Sequence, residues 1–224
     1  MSGLREQNRQ EQRERILAAA WDLFAEQGFD EVTVADVATA AGVARATVFN
    51  HFESKQGLVE ALTVQNLGFY TQMLEAALAD SDIPTPVLVR ALFDGMGMGI
   101  ENTRRVQRGI FREIARLQLG FEEGGAAQRA NEENLGRLVE LFGRGQKRGD
   151  LRRDHDPEAL AQAFSHLVNG TITGWLFNEG ESPLRQRMRA AAEIFLGPVA
   201  QDAAASLSDP LPDLVPMRPG GNPT

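Results

Sequence analysis

Apolar residues recur along this chain at three- and four-residue intervals, with no sustained alternation at every second position. Ile16, Leu17, Ala20, Leu23 and Phe24 follow the spacing of one buried helix face. Gly28 ends that helix as a residue that adopts positive φ at little cost. Thr33, three residues before Asp36, forms a near capping box and opens a helix over about 33–41 that buries Val37 and stops at Gly42. A third helix is predicted from about Arg45 to Phe52. Ser54 then caps a long fourth helix carrying Leu58, Leu62, Leu67, Met73, Leu74 and Leu78. The sequence DIPTP breaks the pattern, and Thr85 with Pro86 supplies an N-cap and N1 pair. Further helices are expected over 86–102, 104–118, 125–148, 157–178 and 184–203, with RGDLRRDHDP and GESP as turns. The fold class is all-α, of about nine helices.

The pattern also divides the chain. Residues 1–12 read as a flexible N-terminal arm and 13–57 as a small helical domain whose central motif spans 33–52. Residues 58–203 form a larger helical domain, and the Pro- and Gly-rich tail, 204–224, is expected to be disordered.

Composition narrows the possibilities. The chain has 224 residues and no cysteine, so disulfides and thiolate metal sites are excluded, and a reducing cytoplasm is compatible. Its start lacks the apolar core of a signal peptide, and no apolar run approaches the roughly 18 residues of a membrane span. A net charge of -8 argues against bulk electrostatic coating of nucleic acid. Within residues 1–57, six basic side chains (Arg5, Arg9, Arg13, Arg15, Arg45, Lys55) face nine acidic ones. Any DNA contact must therefore be local, with the carboxylates turned away.

The 33–52 stretch has the build of a helix-turn-helix: a capped helix, a tight turn at Gly42, then a short second helix that fits a major groove. In that second helix Val48 and Phe52 face the core, while Arg45, Ala46, Phe49 and Asn50 face roughly the other way and Thr47 and His51 flank them. Arg pairs with guanine and Asn with adenine through two hydrogen bonds each. Lys55 and the helix N-terminus after Ser54 form a second phosphate point. On spacing alone, an amphipathic helix with a solvated polar face remains the alternative.

From Arg13 to Leu62 the chain resembles the TetR family of bacterial transcriptional regulators. The ordered matches are ILAAAWDLFAEQGF, TVADVATAAGV, TVFNHF and the SK pair that follows. The resemblance implies DNA contacts at Thr33, Arg45, Ala46, Thr47, Phe49, Asn50, His51 and Lys55. Of these, Thr33, Thr47, His51 and Lys55 are expected at phosphates, and Arg45, Ala46 and Asn50 near bases. Two positions depart from the family's habit. Ala44 stands where Ser is usual and removes a side-chain cap, and Phe49 replaces a Tyr whose hydroxyl reaches phosphate.

The remaining mass has two expected uses. The resemblance implies a homodimer built from the last two helices. Leu160, Leu167 and Thr171 on one, with Met188, Ala192, Phe195 and Val199 on the other, are the candidate interface; burial within one subunit is the alternative. The middle helices resemble an effector-binding region. Phe93, Met96, Met98, Phe111, Phe164, Asn169 and Trp175 are candidate lining residues for a small, largely apolar effector, with ordinary core as the alternative. The glycines of GMGMG read as a kink or as space beside a cavity. Arg104, Arg108, Arg112 and Arg116 form a basic stripe, either for an acidic partner or solvated and paired. The acidic turn DLRRDHDP diverges too much for metal binding.

No zinc, nucleophile-elbow or dinucleotide signature is present, so neither catalysis nor a cofactor is expected. The expected partners are double-stranded operator DNA, a second copy of the chain and a small effector, without a membrane. A small-molecule carrier or protein-partner module with decayed DNA binding is the rival reading.

Overall fold

The computed structural model describes residues 2–101, 103–116, 125–178 and 182–201. These form α1 (Ser2–Gln27), α2 (Val34–Ala40), α3 (Arg45–Phe52), α4 (Lys55–Ala79), α5 (Thr85–Glu101), α6 (Arg104–Arg116), α7 (Ala126–Arg148), α8 (Pro157–Phe177) and α9 (Leu184–Leu196). Among the described residues the only extended pairing is one antiparallel bridge, Leu151 with Ala200. The all-α expectation holds. No described helix is long and apolar enough to cross a membrane.

Two buried clusters organise the helices. The smaller gathers Ile16, Leu17, Ala20 and Phe24 of α1 with Val37, Val48, Phe52, Leu58 and Leu62, and takes in Val106 and Ile110 from α6. The larger joins the second half of α4 to α5, α7, α8 and α9. Its centre is a knot of Phe93, Phe142, Phe164 and Phe195, with Phe93 and Phe164 ring centroids 4.8 Å apart. Charge fastens α5 to α9 beside it. The Arg90 guanidinium donates to Glu193 at 2.6 and 2.9 Å, and Asp94 accepts from Arg185 at 2.8 and 2.7 Å and from Arg189. Burial alone would raise the Asp94 carboxyl, but these arginines outweigh it and hold it below the usual range.

Several boundaries differ from the sequence expectation. Residues 2–12 are the first three turns of α1 rather than a separate arm. Side-chain pairs at i, i+4 support those turns, with Gln7 donating to Glu11 at 3.3 Å and Gln10 to Glu14 at 2.8 Å. Thr85 lies inside α5 and does not cap it: its N–H and hydroxyl both donate to Asp150, at 3.0 and 3.2 Å. The last helix stops at Leu196, and the chain turns so that Arg152 N–H meets Val199 O at 2.9 Å. The tail 204–224 lies outside the described residues.

α5 runs as one helix through GMGMG. Gly97 has a packing role. A Cβ placed there would stand 2.9 Å from the Arg185 backbone and 3.2 Å from Met188, so its missing side chain lets α9 lie close against α5.

Candidate nucleic-acid interface

Three short-range devices set the reading helix. Thr33 and Asp36 form a full capping box: Asp36 N–H donates to the Thr33 hydroxyl oxygen at 3.2 Å, and Thr33 N–H donates back to the carboxylate at 2.8 Å. The Thr33 hydroxyl and N–H hold the Asp36 carboxyl below its ordinary range. Gly42 turns the chain with φ of 65°, a conformation costly for other residues, and Val43 N–H returns to Ala38 O at 3.0 Å. At the far end Ser54 caps α4 by accepting from Gly57 N–H at 3.0 Å. A Cβ on Gly57 would lie 1.9 Å from Phe52 O, so only glycine lets α4 start this close to the end of α3.

α3 itself is anchored on one side and open on the other. Val48 and Phe52 are buried, at 1% and 5% exposure, within the smaller core. Arg45, Ala46, Phe49 and Asn50 are exposed together on the opposite side, and Thr47 and His51 are half-buried at the flanks. Ala44 occupies the N-cap with extended backbone and no side-chain hydrogen bond. Phe49, in place of a phenol, carries the Arg45 guanidinium 5.4 Å from its ring centroid. That contact holds the arginine over α3 and restricts its search for a partner.

Two basic groups of α1 lie at the end of the reading helix. Arg13 stacks over the Phe52 ring at 5.3 Å, so the N-terminal half of α1 runs beside the end of α3. His51 is held below its ordinary pKa by partial burial, and then by the charges of Arg9 and Arg13. Arg9, Arg13 and His51 are therefore one cluster, next to the exposed side of α3. Lys55 reaches back over the Phe29 ring at 4.0 Å, at the edge of the same head. Thr33 sits apart in chemistry: its hydroxyl already donates to Asp36 at 2.7 Å, beside a carboxylate.

The expected effector residues divide. Phe93 and Phe164 are fully buried in the aromatic knot and belong to the core. Asn169 is exposed on α8, apart from the buried residues of this set. Met96 and Trp175 are buried, and Met98 and Phe111 are half-buried. Trp175 also carries Arg104 4.5 Å over its ring, and Arg104 donates to Trp175 O at 2.9 Å and Asn178 O at 2.8 Å. Arg104 thus closes the carboxyl end of α8. Arg108 approaches the Phe177 ring at 6.0 Å, and the side chains of Arg112 and Arg116 lie outside the described residues. In the acidic turn Asp150 binds Thr85, Asp154 pairs with Arg152, and Asp156 caps α8.

Most of the expected interface residues lie within one subunit, the alternative left open by the sequence. Leu160, Met188, Ala192, Phe195 and Val199 are buried in the chain's own core. Leu167 and Thr171 are half-buried. The physical reason is that α8 and α9 each have two apolar faces, and the bulkier one turns inward. The outer face has small residues, Ala159, Ala163 and Gly170 on α8 and Ala190 on α9, with Ile194 standing 71% exposed. The sequence signal for this face was the run of Ala and Gly beside the large residues.

Comparison with known proteins follows the same division. Residues 16–62 match the sequence model of the bacterial regulatory proteins, tetR family. The chain is 28% identical over 175 residues to the HTH-type transcriptional repressor BepR of Brucella suis, covering 75% of this chain and 82% of BepR. It is 26% identical over 193 residues to the HTH-type transcriptional repressor KstR2 of Mycolicibacterium smegmatis, covering 84% and 91%. Among solved structures, Thermus thermophilus FadR, a TetR-family repressor in complex with lauroyl-CoA, superposes with a TM-score of 0.64 at 23% identity, covering 83% of this chain and 94% of that one.

Proposed function

We propose that this chain, which belongs to the TetR family of bacterial transcriptional regulators, is a cytoplasmic, ligand-responsive repressor that binds palindromic operator DNA as a homodimer. One observation carries the reading: Arg45, Ala46, Phe49 and Asn50 are exposed together on the side of α3 opposite the buried Val48 and Phe52. In this reading α3 enters the major groove, where Arg45 and Asn50 meet base edges and Ala46 allows close approach. Thr47, His51 and Lys55, joined by Arg9 and Arg13 of α1, meet phosphates. Thr33 contributes chiefly as the cap that fixes α2, because its hydroxyl is engaged by Asp36.

Reading two half-sites requires two heads at fixed spacing. The outer face of α8 and α9, with Ala159, Ala163, Gly170, Ala190 and Ile194, is the surface we assign to the second copy. An effector held among α4, α5, α6 and α8 then shifts the population toward an arrangement that spoils that spacing, with a coupling typically of about 1–3 kcal/mol. The named repressors among the relatives support the sign of regulation.

Selection of bound duplexes from a random pool tests the reading directly; the expected product is a two-fold symmetric consensus. On that consensus, Lys55→Ala should weaken binding to all sequences and flatten the salt dependence. Asn50→Ala should relax preference at one base position per half-site, by about 1–3 kcal/mol. A pool that yields no enriched sequence at low salt refutes the regulator, and a flat salt response favours a small-molecule carrier instead.

A further inference from the structure

α3 exposes one large apolar side chain on the side that is open for base contacts. Phe49 is 37% exposed. Leu4, Phe177 and Ile194, the other large apolar side chains exposed among the described residues, lie on α1, α8 and α9. A single exposed phenyl is ordinary on a protein surface. This one stands one helical turn from Arg45, whose guanidinium carbon lies 5.4 Å from the centroid of its ring. Arg45 makes no hydrogen bond or ion pair with any described residue, so its donors are uncommitted.

The two side chains divide the chemistry of a major groove between them. A guanidinium laid over a ring keeps its N–H edge free to donate, and guanine offers that edge two acceptors, O6 and N7. A phenyl ring neither donates nor accepts. The apolar group that base edges present to it is the thymine C5-methyl. Spacing then sets the register. Base pairs stack about 3.4 Å apart, so two steps span about 6.8 Å. The separation of 5.4 Å falls short of two steps, and an oblique crossing of the duplex axis foreshortens it further, which selects neighbouring pairs. The stack also restrains Arg45 before DNA arrives, so less side-chain freedom is lost on binding.

We propose that Arg45 and Phe49 act as one reading unit, which selects a guanine and a thymine on neighbouring base pairs, with Phe49 seated against the thymine methyl. The inference rests on the reading of α3 as the groove helix and names the base step that it selects. Ala46 and the methyl of Thr47 lie on or beside the same open side of α3 and are the rival partners for a thymine methyl.

The test uses the full chain, the operator selected from a random pool, and the same duplex with deoxyuridine replacing one thymidine per half-site. Uracil pairs as thymine does and lacks only the methyl. Arg45→Ala should relax preference at one guanine per half-site, which locates the step. Uracil beside that guanine should weaken wild-type binding about threefold to fivefold for each half-site substituted, the worth of one buried methyl group. Phe49→Ala should bind the thymine and uracil duplexes equally, and should lose part of the guanine preference because Arg45 loses its support. A uracil penalty that persists in Phe49→Ala assigns the methyl to Ala46 or Thr47 and overturns the proposal. So does a consensus with no guanine tied to Arg45 or no thymine beside it, and so does full wild-type affinity for the uracil duplex. That last measurement uses unaltered protein, so it decides the matter even if Phe49→Ala folds poorly. A pool that yields no enriched sequence fails the regulator itself, whereas an enriched operator indifferent to uracil fails only the reading unit.

Discussion

Replacing Gly97 by alanine tests the closeness of α5 and α9. In an open helix this change stabilises by about 1 kcal/mol, because alanine loses less backbone entropy than glycine. Here the added methyl would meet the Arg185 Cα at 2.9 Å and Met188 side-chain carbons at 3.2 and 3.3 Å. The nearest atom is backbone, so α9 as a whole must retreat, and overpacking of this kind costs about 1–3 kcal/mol. Retreat also strains the Asp94–Arg185 pair, which spans the same contact. The expected net change is a loss of up to about 2 kcal/mol. Gly99→Ala, two residues along the same helix, is the control: its methyl would meet the Phe69 ring at 3.6 Å, an ordinary contact. That variant should gain about 0.5–1 kcal/mol. The pair should therefore differ by up to about 3 kcal/mol, or up to about 1.5 M in urea midpoint for a slope near 2 kcal/mol/M. Urea unfolding followed by circular dichroism at matched protein concentration reads the difference. If both variants shift the midpoint the same way by similar amounts, close approach at Gly97 is not what limits this interface.

Two further predictions concern the head. Ala44→Ser should stabilise by about 1 kcal/mol, since Ala44 already has the extended backbone of an N-cap and lacks only the side-chain acceptor; an unchanged urea midpoint refutes this. His51 is depressed in the free protein, so the unfolded chain takes up a proton first, and stability linked to it falls as pH drops from about 6.5 through the folded value. A phosphate beside His51 would raise its pKa, so operator affinity should increase on lowering pH from about 8 to about 6, and His51→Gln should flatten that profile. An unchanged profile in His51→Gln removes His51 from the phosphate contacts.

Most of the helical layout was legible because burying one helix face imposes a 3.6-residue period on side-chain choice, as at Ile16, Leu17, Ala20 and Phe24. The start of α1 was not, because residues 2–12 have polar support only and leave no apolar stripe to read. The anchored and open sides of α3 were legible for the same periodic reason. The phosphate cluster was harder, since Arg9 and Arg13 meet His51 only after α1 folds back along α3. The outer faces of α8 and α9 were not legible, because periodicity marks a face as apolar without saying which of two such faces turns inward. Volume decides that: Phe195 and Met188 fill the space around the aromatic knot, and the alanines cannot. The glycines of GMGMG read as a kink or as space beside a cavity, and the sequence could not choose, because a glycine's role depends on what passes beside it.

α6 belongs to both halves of the molecule. Arg104 fastens its beginning to the end of α8, while Val106 and Ile110 complete the hydrophobic packing under α1, and Gly109 lets the helix come within reach of Phe29. The head is consequently no detachable cassette. A fragment cut after Leu62 would expose the patch that α6 normally roofs, and a chimera grafting this head onto a foreign body would need to carry α6 across with it.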